Sequence, residues 1–129
     1  VPFAELSDDT KEDLVVSVAG LRGEDEDEVK VGFENSDILV PVRQTQISKI
    51  LADDRAVSAF TVKTYAWAMS QGDVFPPVTI VKEGSKFRLL EGGHRFMAAR
   101  SLGAKTIAAF DLSNLQLVRT ADGLETYAF

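Results

Sequence analysis

The run Leu89-Leu90-Glu91-Gly92-Gly93-His94-Arg95-Phe96-Met97-Ala98-Ala99-Arg100-Ser101-Leu102-Gly103 gathers the residues best suited to chemistry, including the only histidine of the chain. It reads as the end of a strand, a tight glycine turn and a short helix. The first N–H groups of a helix have no partner inside it, and the aligned peptide dipoles make that end positive. His94 and Arg95 sit beside those groups, so the turn is a ready anion site, with phosphate the favoured anion. Gly92 and Gly93 carry no Cβ and would let an anion approach the backbone closely.

The elements around this turn follow from pattern and punctuation. Ser7 can cap a helix with Asp8 and Asp9 in its first turn, Leu14, Val18 and Leu21 at helical spacing, and Gly23 as its stop. Glu24 to Glu28 is an unbroken acidic run, read as a solvated loop because adjacent carboxylates repel and diverge; a divalent cation or a basic partner is the functional alternative. Asp37 to Val42 is apolar and extended, with Pro41 suited to an edge strand or strand end. Gln44 to Arg55 mixes helical spacing at Ile47, Ile50 and Leu51 with loop character. Val62, Tyr65, Ala66 and Met69 form a helical stripe capped by Thr61 and closed by Gly72, with Lys63, Trp67 and Ser70 on another face. Trp67 suits either a second core face or a stacking platform for a base.

Phe75-Pro76-Pro77 cannot continue a helix and forces an extended lead into Val78–Lys82. Glu83-Gly84-Ser85 joins this strand to Lys86–Leu90 as a hairpin. The Arg95–Leu102 helix follows the glycine turn and stops at Gly103, with Phe96, Met97 and Ala99 as core positions. Ile107 to Phe110 reads as a buried strand. Leu115–Thr120 and Leu124–Tyr127, joined by Ala121-Asp122-Gly123, form a last hairpin. The pattern predicts one compact α/β or α+β domain with a small mixed sheet and flanking helices. Residues 1–36 read as a helix and acidic loop extension, and 37–129 as the domain proper.

Composition excludes several functions. The chain has 129 residues, no cysteine and a net charge of −6, with a pI near 4.7. Disulfides, thiolate metal ligands and thiol catalysis are ruled out, and one histidine cannot build a histidine-rich metal site. The acidic balance argues against the whole domain acting as a cationic clamp on nucleic acid, and against a nuclease. No apolar run reaches membrane-spanning length, so the expectation is a soluble cytoplasmic protein with no membrane partner. Val1 in place of Met, and a strand at the very end, suggest a piece of something longer.

The order of parts from Val40 to about Leu112 resembles the ParB/sulfiredoxin superfamily. A Val-Pro pair precedes a variable segment and a helix ending near Gly72. Phe75-Pro76-Pro77-Val78-Thr79-Ile80, a strand ending in Leu89-Leu90, the Gly-x-His-Arg turn into Ala98-Ala99, and Ile107-Ala108-Ala109-Phe110 then follow. Sulfiredoxins place a catalytic cysteine where Gly93 stands, so sulfinic acid reductase chemistry is excluded. Chromosome-partition ParB proteins carry a Gly-Glu-Arg-Arg turn and a downstream DNA-binding domain; this chain keeps only the second arginine, as Arg95, and lacks that domain.

The resemblance implies a nucleoside triphosphate at the turn, CTP or ATP with Mg²⁺. The N–H groups of Gly93, His94 and Arg95 would donate to phosphate, and the Arg95 guanidinium would add a charge-assisted bond. Lys63 aligns with a family lysine that reaches the phosphates, and Arg43 and Arg55 are weaker candidates. Glu91 is the best-placed acid for holding a metal or orienting water or a hydroxyl, ahead of the remote Asp73 and Asp111. Each has a structural alternative: Arg95 pairing with Glu91 or Asp111, Lys63 a solvated helix lysine, His94 a capping or packing residue. The lead expectation is a nucleotide-binding switch or NTPase in a DNA-associated system, with DNA contacted through a partner or missing regions and a homodimer plausible. A kinase acting on free serine and a ligand-free protein-interaction module are the alternatives.

Overall fold

A computed structural model describes residues 1–53, 55 and 57–129. Four helices, α1 (Asp8–Arg22), α2 (Glu26–Glu34), α3 (Ala59–Ser70) and α4 (Gly93–Ser101), combine with seven strands among these residues. The strands are β1 (Val42–Gln46), β2 (Ile50–Leu51), β3 (Val78–Glu83), β4 (Lys86–Glu91), β5 (Thr106–Asp111), β6 (Gln116–Arg119) and β7 (Glu125–Ala128). The class is α+β, as the alternation of patterns predicted. The chain divides into two compact units, residues 42–111 and residues 1–41 with 112–129.

The central unit holds a five-stranded mixed sheet in the order β1-β5-β3-β4-β2. β3 lies in the middle, parallel to β5 and antiparallel to β4. A middle strand is covered on both faces and reads as continuously apolar, and Val78, Thr79 and Ile80 are all buried. α4 returns the chain from β4 to β5. Its Phe96, Met97 and Ala99 pack with Ile47, Ile50, Val78, Ile80 and Ala109 into the core of this unit. The β3–β4 register slips by one residue: Leu89 pairs with Ile80 and Glu91 with Thr79, so Leu90 is the extra residue of a bulge. Bulges bend and twist a strand, and this one lies directly before the glycine turn.

Between Gln44 and Arg55 the helical spacing of Ile47, Ile50 and Leu51 does not make an α-helix. β1 runs to Gln46, a 3-10 turn covers Ile47–Lys49, and β2 follows; Asp54 lies outside the described residues. Ile47 and Ile50 are buried in the sheet core, which rewards extended pairing over helical continuation. α3 begins three residues before the place its sequence suggested. Ser58, not Thr61, is its N-cap, and the Ser58 side chain accepts from the Thr61 N–H at 3.4 Å.

In the other unit α1 starts and stops as read. The Ser7 Oγ accepts from the Thr10 N–H at 3.2 Å, and Gly23 takes a left-handed φ of 67°. The acidic run departs from expectation: it is a helix start rather than a loop. Asp25 caps α2, accepting from the Asp27 and Glu28 N–H groups at 2.9 and 3.4 Å. Glu26, Asp27 and Glu28 fill the first turn, where the helix dipole favours negative charge. The helix then buries Val29 and Phe33, and Phe33 stacks on Phe3 and Tyr127 with ring centroids 4.7 and 4.8 Å away. β6 and β7 form the expected terminal hairpin.

Candidate functional site

The glycine turn follows Glu91, the last residue of β4, and leads into α4, whose first residue is Gly93. Gly92 caps α4 with φ 98° and ψ 31°, a left-handed conformation that side-chain-bearing residues rarely adopt. A Cβ on Gly92 would also lie 2.7 Å from Val78 Cγ1 and 2.8 Å from the Arg95 guanidinium. The residue must be glycine on both counts. No side chain caps this helix. Its first helical bond runs from the Phe96 N–H to the Gly92 carbonyl at 2.9 Å, so helix geometry gives the N–H groups of Gly93, His94 and Arg95 no intrahelical acceptor.

A second helix start meets this one. A Cβ on Gly93 would fall 2.9 Å from Val57 Cγ1. One residue further on, the Ser58 N–H donates to His94 Nε2 at 3.0 Å. The N-cap of α3 is thereby tied to the first turn of α4. Nε2 is thus the accepting nitrogen of this imidazole. Tyr65 meets the His94 ring edge-on at 6.1 Å and is itself edge-on to Phe75 at 5.0 Å. Two positive dipole ends therefore lie side by side at a glycine surface, an arrangement suited to anionic oxygen.

The charged residues are distributed less simply than their sequence positions suggested. Arg95 and Glu91 form an ion pair with each other, the structural alternative read for Arg95, with side chains 13% and 32% exposed. Arg43 pairs instead with Asp111 at 3.3 Å, and Arg55 with Asp53 at 3.0 Å. Lys63 stands on the exposed face of α3 between Phe60 and Trp67; no hydrogen bond or ion pair joins it to the turn among the described residues. Trp67 is 66% exposed, so it is not a core residue. Asp73 is exposed.

No three His, Asp or Glu side chains cluster as metal ligands among the described residues. Glu91, the acid nearest the turn, is engaged by Arg95. Sequence reading missed Ser58 and Val57. A serine three residues before Thr61 was a visible capping signal, but its backbone contact with His94 spans 36 residues and has no sequence signature.

No family model matches this chain, and no curated protein matches it. Solved structures do. A sulfiredoxin from Arabidopsis thaliana aligns with 57% of this chain and 86% of its own length, at 19% identity and a TM-score of 0.51. The fold is the ParB/sulfiredoxin fold. The chromosome-partitioning protein ParB from Caulobacter crescentus, C-terminally truncated and complexed with CTP-γ-S, shares this ParB/sulfiredoxin-like core over 57% of the chain at 15% identity, again with a TM-score of 0.51. SbnI from Staphylococcus aureus, also C-terminally truncated, aligns over 60% of the chain at 12% identity with a TM-score of 0.51. The match spans 44% of that ParB structure and 33% of that SbnI structure. No helix among the described residues is long and apolar enough to cross a membrane.

Proposed function

We propose that the turn Gly92–Arg95 binds the phosphates of a nucleoside triphosphate, CTP or ATP with Mg²⁺, and that the chain acts as a nucleotide-dependent switch or NTPase in a DNA-associated system. The observation that carries this reading is the meeting of two helix starts at Ser58 and Gly93, joined by the Ser58–His94 hydrogen bond. The fold shared with a ParB that was captured with a CTP analogue adds support for the ligand class. Gly93, His94 and Arg95 would supply backbone donors, and the exposed Lys63 a charge for the outer phosphates. With a net charge of −6, DNA contact would come from a partner or from sequence outside these 129 residues.

Isothermal titration with CTP, ATP, GTP and UTP, with and without Mg²⁺, tests the reading. One nucleotide should bind, and Arg95→Ala should weaken it by about 10- to 100-fold, the worth of a charge-assisted bond. Lys63→Ala should weaken it less and leave the melting temperature unchanged, because Lys63 is exposed. No heat with any of the four nucleotides would overturn the proposal. An interaction module without a ligand would then take its place, favoured by the exposure of Phe60 (79%) and Trp67 on one face of α3.

A further inference from the structure

We infer that Glu91 is a built-in competitor for the phosphate site: its carboxylate occupies the Arg95 guanidinium that an incoming phosphate needs, and ligand binding exchanges one anion for the other. This inference rests on the phosphate-site reading above. Three observations place the exchange at the turn. The Leu90 bulge and the pairing of Glu91 with Thr79 set the carboxylate at the very end of β4. Arg95 is folded back over Gly92, where a Cβ would meet its guanidinium at 2.8 Å. The two side chains form an ion pair across the turn, with Arg95 the more enclosed partner. A guanidinium has five donors in a fork that fits a carboxylate or a phosphate equally well, so the two acceptors compete for one binding geometry. A triphosphate offers more negative charge than one carboxylate and can also take the N–H groups of α4. A weakly charged ligand cannot displace Glu91 as effectively.

The ordinary alternative is a staple that joins the end of β4 to the start of α4. The two roles predict opposite effects of removing the charge. Glu91→Gln keeps a carbonyl that can accept from Arg95 but no longer competes as an anion. Glu91→Asp keeps the charge on a shorter side chain. Titrating the full chain and both variants with CTP and ATP in the presence of Mg²⁺, after circular dichroism melting has shown each to be folded, separates them. Competition predicts that Glu91→Gln binds the nucleotide at least about fivefold more tightly than the unsubstituted chain, while Glu91→Asp shows no such gain. Equal or weaker binding by Glu91→Gln, with the unsubstituted chain still binding, overturns the competitor role and leaves the phosphate site standing. Failure of all three proteins to bind removes the site and its competitor together.

Discussion

At the starts of α1, α2 and α3 a side-chain oxygen of Ser7, Asp25 or Ser58 accepts from a backbone N–H of the first turn, whereas α4 begins at Gly92, which has no side chain to offer. The capped starts satisfy themselves, and two of them carry acids that complement the local dipole: Asp8 and Asp9 on α1, and Glu26, Asp27 and Glu28 on α2. The uncapped start is surrounded by a histidine bound to another helix start and by an arginine already holding a carboxylate. The open first turn of α4, at a glycine that tolerates no Cβ, is the feature on which the proposed phosphate site rests.

The largest expected effect tests the turn itself. Gly92→Ala must strain a left-handed backbone and push into the buried Val78, so unfolding free energy should fall by about 3 kcal/mol, close to 10 °C in melting temperature. A loss under about 1 kcal/mol would mean that the turn relaxes freely and is not a fixed cradle. The same comparison predicts a smaller loss at a capped start. Ser7→Ala should cost about 1 kcal/mol in chemical denaturation, because one N–H loses its acceptor and nothing collides. If Ser7→Ala cost as much as Gly92→Ala, the distinction between packing helices and the open one would collapse.

The smallest effect is a pH dependence confined to the unit that holds the capped α1 and α2. Tyr127 is pushed up to about 12, first by burial and then by its 3.0 Å hydrogen bond to Glu24. An unfolded tyrosine ionises near 10. Its folded value is higher, so the contribution is fully present below pH 10 and is lost as pH rises toward 12. Denaturant midpoints measured from pH 9 to pH 11.5 should fall more for the unsubstituted chain than for Tyr127→Phe. Parallel curves would show that Tyr127 is not the group responsible. Glu24 moves the other way: hydrogen bonding from Arg22 holds its carboxyl low, so its share is lost only as pH falls through that lowered value.

Much of the fold was legible because its signals are local. The cap at Ser7, the glycine stop at Gly23, the hairpin turn at Gly84 and the strand–glycine–helix order around Gly92 depend on residues a few positions apart. Like-charge repulsion argues for a loop over residues 24–28, but the Asp25 cap and the helical spacing of Val29 and Phe33 outweigh it. What rewards that helix is tertiary: Phe33 lies between Phe3 and Tyr127, and Gly32 is crowded by Tyr127, to which a Cβ would come within 2.5 Å. Ser58 rather than Thr61 begins α3 for a related reason, since Ser58 is held by His94 as well as by its own helix.

The candidate site divides in the same way. The sequence by itself determined that a glycine turn opens a short helix and that His94 and Arg95 stand at its start, because turn conformation and helix polarity are properties of consecutive residues. It also determined, through the absence of cysteine, that the chain cannot perform thiol chemistry. Only the tertiary structure decided that Arg95 pairs with Glu91 while Asp111 goes to Arg43, and that the start of α3 meets the start of α4. Ion pairs are chosen by distance and burial in space, and several pairings satisfy the same sequence until the sheet order brings particular strand ends together.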